Sequence, residues 1–436
     1  MAYAASLRVP TGCTHELRLI RGTGIVYWRI QFAEAFSKSQ GFDIVLANPP
    51  YGLLNKRQNQ KMGFVMSEDA ASQLVRSKEF EPVIRGMTNI CTVFIRRSFS
   101  LLAPGGVFAE IFPLSFACDL SFASLRAYVF EKHTITRLEA FPERDDPNRR
   151  VFASAKMSVC ILIARSSRRA KNSPFSMRVH PTKDVNEGLA AMVTPEQIAI
   201  FDPNCAVPLI SEAQFAQLNI IRQHSVRLSE IGKCYTGEVD LTICRPFITA
   251  DASAAPMYKG AIIDRYRIRT KMSQGEIEFL NAKAYLASKG KRQTSSAWHH
   301  QQQRIVLQGI TGVNERVRLK MTLIPPGIFC ANSANYILLK NGTDRDYLFV
   351  LAVLNSRIVN EVFKYYSTNS NVNGYEADNL PIPAASREDR EAIAALAQRC
   401  LHANGVNCQA WDKEIDERVA ALFGIDRADL QTSADG

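Results

Sequence analysis

The sequence of 436 residues lacks the cysteine spacings that mark metal or disulfide sites. Its 10 cysteines occur singly, without a CxxC pair and without a Cys/His cluster at zinc-ligand spacing. Several lie in apolar runs, such as Cys160, where a free thiol behaves as a small hydrophobic group. These absences argue against a zinc or disulfide scaffold, and they predict buried free thiols, no metal site and a reducing, cytoplasmic location.

Long hydrophobic runs are missing as well. No stretch approaches the ~18 apolar residues of a membrane-spanning helix. The first residues contain no apolar segment of signal-peptide length. We therefore expect a globular protein that is neither exported nor inserted in a membrane.

The charge is strongly one-sided. Lys and Arg outnumber Asp and Glu by 53 to 42, which gives a formal net charge of +11. Much of the excess lies in residues 256–320, with 13 Lys and Arg against 4 Asp and Glu. This surplus favours a polyanionic partner such as nucleic acid, although ribosome-associated proteins and ordinary surface solvation give similar totals.

Residues 25–165 alternate between strand and helix patterns, which is typical of a doubly wound α/β sheet. The β-branched run Phe42–Ala47, stopped by two prolines, predicts a buried parallel strand that ends in a loop. The other predicted elements are strands at Val107–Phe112, Ile135–Phe141 and Met157–Ala164, and helices at Asn89–Leu102 and Phe122–Phe130.

Composition divides the rest of the chain into four segments. Residues 1–24 are a weakly patterned lead-in, and the polar stretch 166–205 is predicted to be a linker. Residues 206–385 hold short strands, many turns and little helical periodicity, and residues 386–436 return to alanine-rich helices and a tail. We predict an incomplete, doubly wound, Rossmann-like sheet, then a mixed turn-rich domain, then C-terminal helices.

The tetrapeptide Asn48, Pro49, Pro50 and Tyr51, called the NPPY loop below, carries the most chemical information. An aromatic amine is a poor nucleophile, and it becomes a better one when hydrogen-bond acceptors hold it toward tetrahedral geometry. The amide oxygen of Asn48 and the carbonyl of Pro49, fixed by the proline ring, can do this. Tyr51 can stack on a base drawn out of a duplex. The structural alternative is a proline-rich turn after a strand.

The segment from Phe42 to Gly52 resembles motif IV of the N6-adenine DNA methyltransferases, and is closest to the TaqI-like group that includes type IIG restriction–modification enzymes. Residues 27–36, 101–113 and 151–159 are similar to flanking segments of that group. The resemblance implies Asn48, Pro49, Pro50 and Tyr51 as catalytic residues, Phe152 as a second contact to a flipped adenine, and S-adenosyl-L-methionine as the cofactor. The alternative for Phe152 is a core aromatic.

The basic, turn-rich part resembles the target-recognition domain of the same family, through residues 228–237, 259–266, 354–356 and 378–383. Cations there are interleaved with Tyr258, Tyr266 and Trp298, a mixture that suits phosphate neutralisation in double-stranded DNA. For each cation alone, a solvated surface charge is the alternative. The candidate DNA-binding residues are Lys259, Arg265, Arg267, Arg269, Lys291, Arg292, Arg316, Arg318 and Lys320.

The family binds its methyl donor through a glycine-rich turn upstream of the NPPY loop, and no such turn follows a strand here. The one GxG, Gly22–Gly24, is predicted to be a plain loop. A truncated reading frame, a separate chain that supplies the cofactor half, and a decayed gene are the three explanations. We expect that the chain alone neither binds S-adenosylmethionine tightly nor methylates DNA, and micromolar affinity in a calorimetric titration would overturn this.

Two other functions stay open. RNA adenine and protein-glutamine methyltransferases also carry Asn-Pro-Pro-Tyr loops, but they lack a basic region such as 206–385 after the catalytic part. A DNA-binding specificity module without catalysis is the alternative from a different class, and the missing cofactor turn favours it.

Overall fold

The computed structural model describes residues 28–53, 74, 76–84, 86, 88–167, 172–271, 276–289, 296–312, 315–367 and 370–425. Within these ranges, no helix combines the length and apolarity needed to cross a membrane. The chain forms a mixed α/β structure with several separate sheets.

The larger sheet has six strands in the order β1-β2-β4-β3-β5-β6. Strand β1 runs parallel to β2, β4 runs antiparallel to both β2 and β3, β5 is parallel to β3, and β6 is antiparallel to β5. The strands are β1 Phe42–Ala47, β2 Leu102–Pro113, β3 Thr134–Phe141, β4 Val159–Arg165, β5 Phe175–Val179 and β6 Leu189–Val193. The four strands predicted from the sequence are therefore confirmed, with β2 longer at its start.

Helices accompany this sheet along the chain. They are α1 Trp28–Gln31, α2 Ala33–Lys38, α3 Ile90–Leu101, α4 Ser115–Cys118, α5 Ala123–Lys132 and α6 Pro195–Phe201, with a 3-10 turn at Leu120–Phe122. Helix α3 begins where Asn89 accepts a hydrogen bond from the Cys91 backbone, as an N-cap residue does. It packs on the sheet through Phe99, whose ring stacks on Phe108 of β2 at 4.2 Å between centroids.

The prediction that β1 is a buried strand is wrong, because none of its residues is buried in the structure. Ile44 and Leu46 are 61% and 73% exposed, although β-branched and leucine side chains in such a strand are ordinarily buried. The doubly wound arrangement, with helices on both faces, therefore stays a prediction.

Residues 166–205 were expected to form a linker, but the structure has regular elements there. Its described residues include β5, β6 and α6, and β5 pairs with β3 in the large sheet. Phe175 and Met177 on β5 are buried, and so is Val193 on β6. Five-residue strands with one buried face give too few apolar repeats to stand out from a polar stretch.

The second region is built from smaller sheets. One has the order β15-β14-β17-β8, another β16-β10-β13-β9, and two-stranded pairs join β11 to β12 and β18 to β7. The strands are β7 Ser225–Arg227, β8 Gly232–Thr236, β9 Ile248–Thr249, β10 Ala255–Tyr258, β11 Ile263–Asp264, β12 Arg267–Ile268, β13 Phe279–Leu280, β14 Arg304–Gln308, β15 Met321–Ile324, β16 Phe329–Cys330, β17 Ala334–Leu339 and β18 Pro381–Pro383.

Helices also occur where little helical periodicity was expected. They are α7 Glu212–Gln223, α8 Leu228–Ile231, α9 Ala282–Ser288, α10 Asp344–Asn355, α11 Arg357–Tyr366 and α12 Gly374–Asp378, with 3-10 turns at Arg245–Phe247, Gly260–Ile262 and Ser296–Gln301. Helix α10 is buried from Tyr347 to Asn355, so its apolar residues do not form the one-sided stripe that marks a surface helix.

The C-terminal helices predicted from the alanine-rich pattern are confirmed as α13 Arg387–His402 and α14 Gln409–Leu422. The largest hydrophobic core is continuous from the six-stranded sheet through α10 and α11 to α13 and α14. The nine cysteines of the described part are free thiols, and all but Cys205 are buried, as expected.

Candidate active site

The NPPY loop leaves the carboxyl end of β1 directly. In open α/β sheets this edge is where ligands bind. Asn48 is exposed, Pro49 is buried, and Pro50 and Tyr51 are half-buried. A short strand that stops at two prolines thus projects one amide side chain into solvent while the following residue anchors the loop.

Tyr51 joins the loop to the sheet. Its hydroxyl donates to the Asn48 Oδ1 atom at 2.7 Å and also lies 3.1 Å from the Ile111 carbonyl oxygen on β2. Burial raises the pKa of this hydroxyl, with smaller contributions from Cys91, Cys160 and Glu110. Tyr51 therefore stays a neutral donor, and its ring packs against the main core.

The far end of the loop is fastened to helix α3. The backbone N–H of Ile90 donates to the Gly52 carbonyl at 2.7 Å, and Leu53 forms a β-bridge with Asn89. The Asn89 side chain also accepts from the Gly52 backbone at 3.4 Å. The first backbone N–H groups of a helix have no partner within the helix. In α3, one of them binds the end of the NPPY loop.

Phe152 lies in the connection between β3 and β4, at the same edge of the sheet. This connection is tied to the end of β2, because the Leu114 N–H donates to the Ser158 carbonyl at 3.0 Å. The Arg150 guanidinium braces it by donating to the Phe152 carbonyl at 3.0 Å. The Phe152 side chain is half-buried. The topology brings it to the NPPY edge, but no ring contact joins it to Tyr51 within the described residues.

Two regions of the chain match protein families. Residues 11–146 match the Eco57I restriction-modification methylase family, and residues 255–382 match the TaqI-like C-terminal specificity domain. The first match contains the NPPY loop and the second contains most of the basic region. Over these two regions the chain is similar to the TaqI-like group of restriction–modification methyltransferases.

Individual relatives match different shares of the chain. A Methanocaldococcus jannaschii protein, a type II restriction enzyme and methyltransferase by name, is 29% identical over 138 residues, which are 31% of this chain and 10% of that protein. The structure of the type IIL restriction-modification enzyme MmeI in complex with DNA is similar with a TM-score of 0.55 at 10% identity. That likeness covers 88% of this chain and 54% of MmeI, so it shows a shared fold. The chain thus spans about half of MmeI and a tenth of the other relative.

Most of the candidate DNA-binding cations that the structure describes are paired with carboxylates of the same chain. Arg267 and Arg269 both bond the Asp264 carboxylate at 2.8 Å. Arg265 donates to the Asp412 carboxylate at 3.1 Å, so it joins β11 and β12 to the C-terminal helices. Such pairs are only partly exposed, and a phosphate would have to compete with the carboxylate for them.

Apart from Arg318, the remaining candidate cations are paired with a carboxylate, exposed, or outside the described residues. Lys259 pairs with Glu278, and Lys320 pairs with Glu315. Arg316 is exposed. Lys291 and Arg292 lie outside the described residues. For all of these cations, contact with DNA stays a prediction.

Arg318 has a structural role in this fold. It is 1% exposed, and its guanidinium donates to the Thr311 hydroxyl at 3.0 Å and the Ser367 hydroxyl at 2.7 Å. A cation enclosed and bonded in this way cannot reach a phosphate without opening the surrounding segments. Its assignment as a DNA contact therefore stays a prediction with a structural alternative.

The aromatic residues that lie among these cations in the sequence differ in burial. Tyr266 is fully buried, whereas Tyr258 and Trp298 are half-buried and belong to packed clusters. Sequence reasoning could not separate these cases, because a tyrosine beside arginines is compatible with both a core and a surface.

Sequence reasoning missed several buried charged residues, among them Glu110 and the pair Arg304 and Glu238. Glu110 interrupts the apolar run Val107–Phe112 on β2, and it is 1% exposed. Arg304 is completely buried on β14 and pairs with the buried Glu238 at 3.0 Å. The carboxylate inside a strand-like run was a readable signal for Glu110. The partner of Arg304 lies far away in the sequence, so no local pattern indicates this pair.

The residues needed to hold a methyl donor are not found among the described residues. S-adenosylmethionine sites in this group use a glycine-rich turn between a strand and a helix, and none of the glycines in the described ranges occupies such a turn. Gly22–Gly24 lies outside the described residues. The described residues of the site thus offer hydrogen-bond acceptors and a tyrosine ring, without a glycine-rich turn of this kind among them.

Proposed function

We propose that the chain acts in site-specific methylation of DNA, at the N6 amine of an adenine that is flipped out of the duplex. The methyl group would come from S-adenosyl-L-methionine, within a restriction–modification or phage-defence system. One observation carries this proposal: Asn48 offers an exposed amide oxygen at the carboxyl edge of the sheet, next to a proline-fixed carbonyl and a tyrosine ring.

The acceptor chemistry needs only hydrogen-bond acceptors and an aromatic surface. Asn48 Oδ1 and the Pro49 carbonyl would receive the two N–H donors of the adenine amine and hold the nitrogen toward tetrahedral geometry. An amide oxygen has two lone pairs, so Asn48 can accept from adenine while Tyr51 still donates to it. The amine can release its proton to solvent after methylation, so no general base is assigned.

A flipped base loses its stacking energy in the duplex, and the protein has to replace part of that energy. Stacking on an aromatic side chain contributes about 1–3 kcal/mol per base. Tyr51 is assigned as the primary stacking partner, and Phe152, at the same edge of the sheet, as the second. Pro50 completes the rigid backbone of the loop.

Sequence selection is assigned to the region of small sheets that contains the TaqI-like specificity domain. Its exposed cation Arg316 and the partly exposed Lys259, Arg267 and Arg269 would contact phosphates. Phosphate contacts fix the register of a protein on DNA, and they make binding salt-dependent.

The test is a methyl-transfer assay with labelled S-adenosylmethionine and three substrates: duplex DNA, RNA and a glutamine-bearing protein. The full chain is assayed alone and with a second chain that carries a glycine-rich donor-binding half. N6-methyladenine at one DNA motif, absent in Asn48→Ala, is expected. Label in RNA or in glutamine, or none with any substrate in either arrangement, would contradict the proposal.

A DNA-binding specificity module without catalysis is the second candidate. The observation in its favour is the match of residues 255–382 to the TaqI-like C-terminal specificity domain. Under that reading, selection from a random duplex library still yields one motif, but no adenine in that motif is methylated. Asn48→Ala would then leave both the selected motif and its affinity unchanged.

A further inference from the structure

Glu110 is an acidic side chain in an apolar layer of the sheet. On β2 the neighbours at alternate positions, Phe108 and Phe112, are fully buried, and Glu110 shares their face. It lies in register with Ala47 on β1, the residue immediately before Asn48. The carboxyl is therefore enclosed directly beneath the start of the NPPY loop.

The surroundings of Glu110 offer it little compensation. Among the described residues, neither carboxyl oxygen has a hydrogen bond of good geometry, and the Ser98 hydroxyl is the one side-chain donor that acts on the group. The groups that face it are Tyr51 from the loop, Cys91 and Ser98 from α3, and Leu162 from β4, none of which is cationic. Burial raises the pKa of Glu110 to about 7, although Ser98 is close enough to lower it slightly. The group therefore changes charge near neutral pH.

A short connection links this carboxyl to the NPPY loop. The next residue on β2, Ile111, presents the carbonyl oxygen that lies 3.1 Å from the Tyr51 hydroxyl. The same hydroxyl donates to Asn48 Oδ1. Glu110 also contributes to the raised pKa of Tyr51, which places the two side chains within electrostatic reach of each other.

We propose that Glu110 is a positioning residue for the NPPY loop, which it holds in place as a neutral acid and releases as an anion. An unpaired carboxylate in this layer has to gain water or move outward. Either change shifts the 110–111 segment, and with it the Tyr51 hydroxyl and Asn48. The consequence for methyl transfer rests on the proposed function, whereas the coupling between Glu110 and Tyr51 does not.

The test follows Tyr51 itself by NMR of the full chain with ring-labelled tyrosine. The chain has 13 tyrosines, and Tyr51→Phe identifies the resonance by its loss. Spectra are recorded from about pH 5.5 to about pH 8.5, where unperturbed carboxyl and tyrosine groups do not titrate. We expect the Tyr51 signal to shift with a midpoint near pH 7, as the pKa of Glu110 implies.

Glu110→Gln is expected to abolish this shift. The matched control is Glu376→Gln, which removes another buried carboxyl whose pKa is raised to about 7, whereas the charged groups that act on Tyr51 are Cys91, Cys160 and Glu110. That control is expected to keep the Tyr51 titration. A Tyr51 signal that does not move across the range, or that moves equally in Glu110→Gln, would overturn the proposal.

Glu110→Met provides a second test in case Glu110→Gln does not fold. An apolar side chain of similar shape in place of an unpaired buried acid is expected to fold at least as well as the parent at alkaline pH. It should hold the Tyr51 signal at its acidic-limit position throughout. A Tyr51 signal in this variant that titrates as in the parent would also refute the coupling.

Discussion

Tyr51→Phe separates the role of the Tyr51 ring from the role of its hydroxyl. The substitution keeps the ring, which would stack on the flipped base, and removes the hydroxyl that bonds Asn48 and Ile111. A neutral hydrogen bond contributes about 1 kcal/mol net, so we expect the free energy of unfolding to fall by about 1 kcal/mol. Tyr51→Ala removes the ring as well, at about 1–3 kcal/mol of lost stacking, or roughly 5- to 150-fold in affinity for DNA with an extrahelical base.

The assay combines thermal unfolding with fluorescence anisotropy on a duplex that carries the selected motif. Tyr51→Phe should melt a few degrees lower and bind DNA within about twofold of the parent, whereas Tyr51→Ala should lose most of the motif preference. Equal losses of DNA affinity in the two variants would refute the reasoning, because the hydroxyl would then carry the contact that we assign to the ring. A Phe variant as stable as the parent would show that the hydrogen bond of the Tyr51 hydroxyl contributes nothing to stability.

Three further predictions concern charged groups. Arg316→Ala is expected to weaken DNA binding and to reduce its salt dependence by about one phosphate contact, without lowering the melting temperature, whereas Arg318→Ala is expected chiefly to destabilise the fold. Arg304→Met should cost about 3–5 kcal/mol of stability because it leaves the Glu238 carboxylate unpaired, and a second substitution, Glu238→Leu, should recover most of it in chemical unfolding. Glu376 has its pKa raised from 4.5 to about 7 by burial, so stability should fall as pH rises between these values, and Glu376→Gln should flatten that slope in melts across the range.

The parts of the fold that depend on local pattern were predictable. The run Phe42–Ala47 followed by two prolines identified β1 and its loop, although the burial expected of such a parallel strand is not found. The alanine-rich helices α13 and α14 were readable from their periodicity in the same way. In both cases neighbouring residues alone determine the element.

The parts that depend on partners distant in sequence were not predictable. Strands β5 and β6 lie in a polar stretch, and they are defined by the pairing of β5 with β3 and of β6 with β5. Helix α10 lies in a region judged poor in helix, because burial on all sides removes the amphipathic signal. Arg267 and Arg318 looked alike as cations near aromatics, yet one pairs with a carboxylate three residues away and the other is enclosed by hydroxyls.

The central claim is that a nucleobase leaves its duplex and stacks on Tyr51 beside Asn48. Photocrosslinking tests it most directly, and without any methyl donor. Duplexes with the selected motif carry 5-iodouracil in place of each adenine in turn, and mass spectrometry locates the protein residue bonded to the DNA. We predict that one adenine position crosslinks to Tyr51 and that the crosslink disappears in Tyr51→Ala. Crosslinks from every position that map only to the region of small sheets would contradict the account.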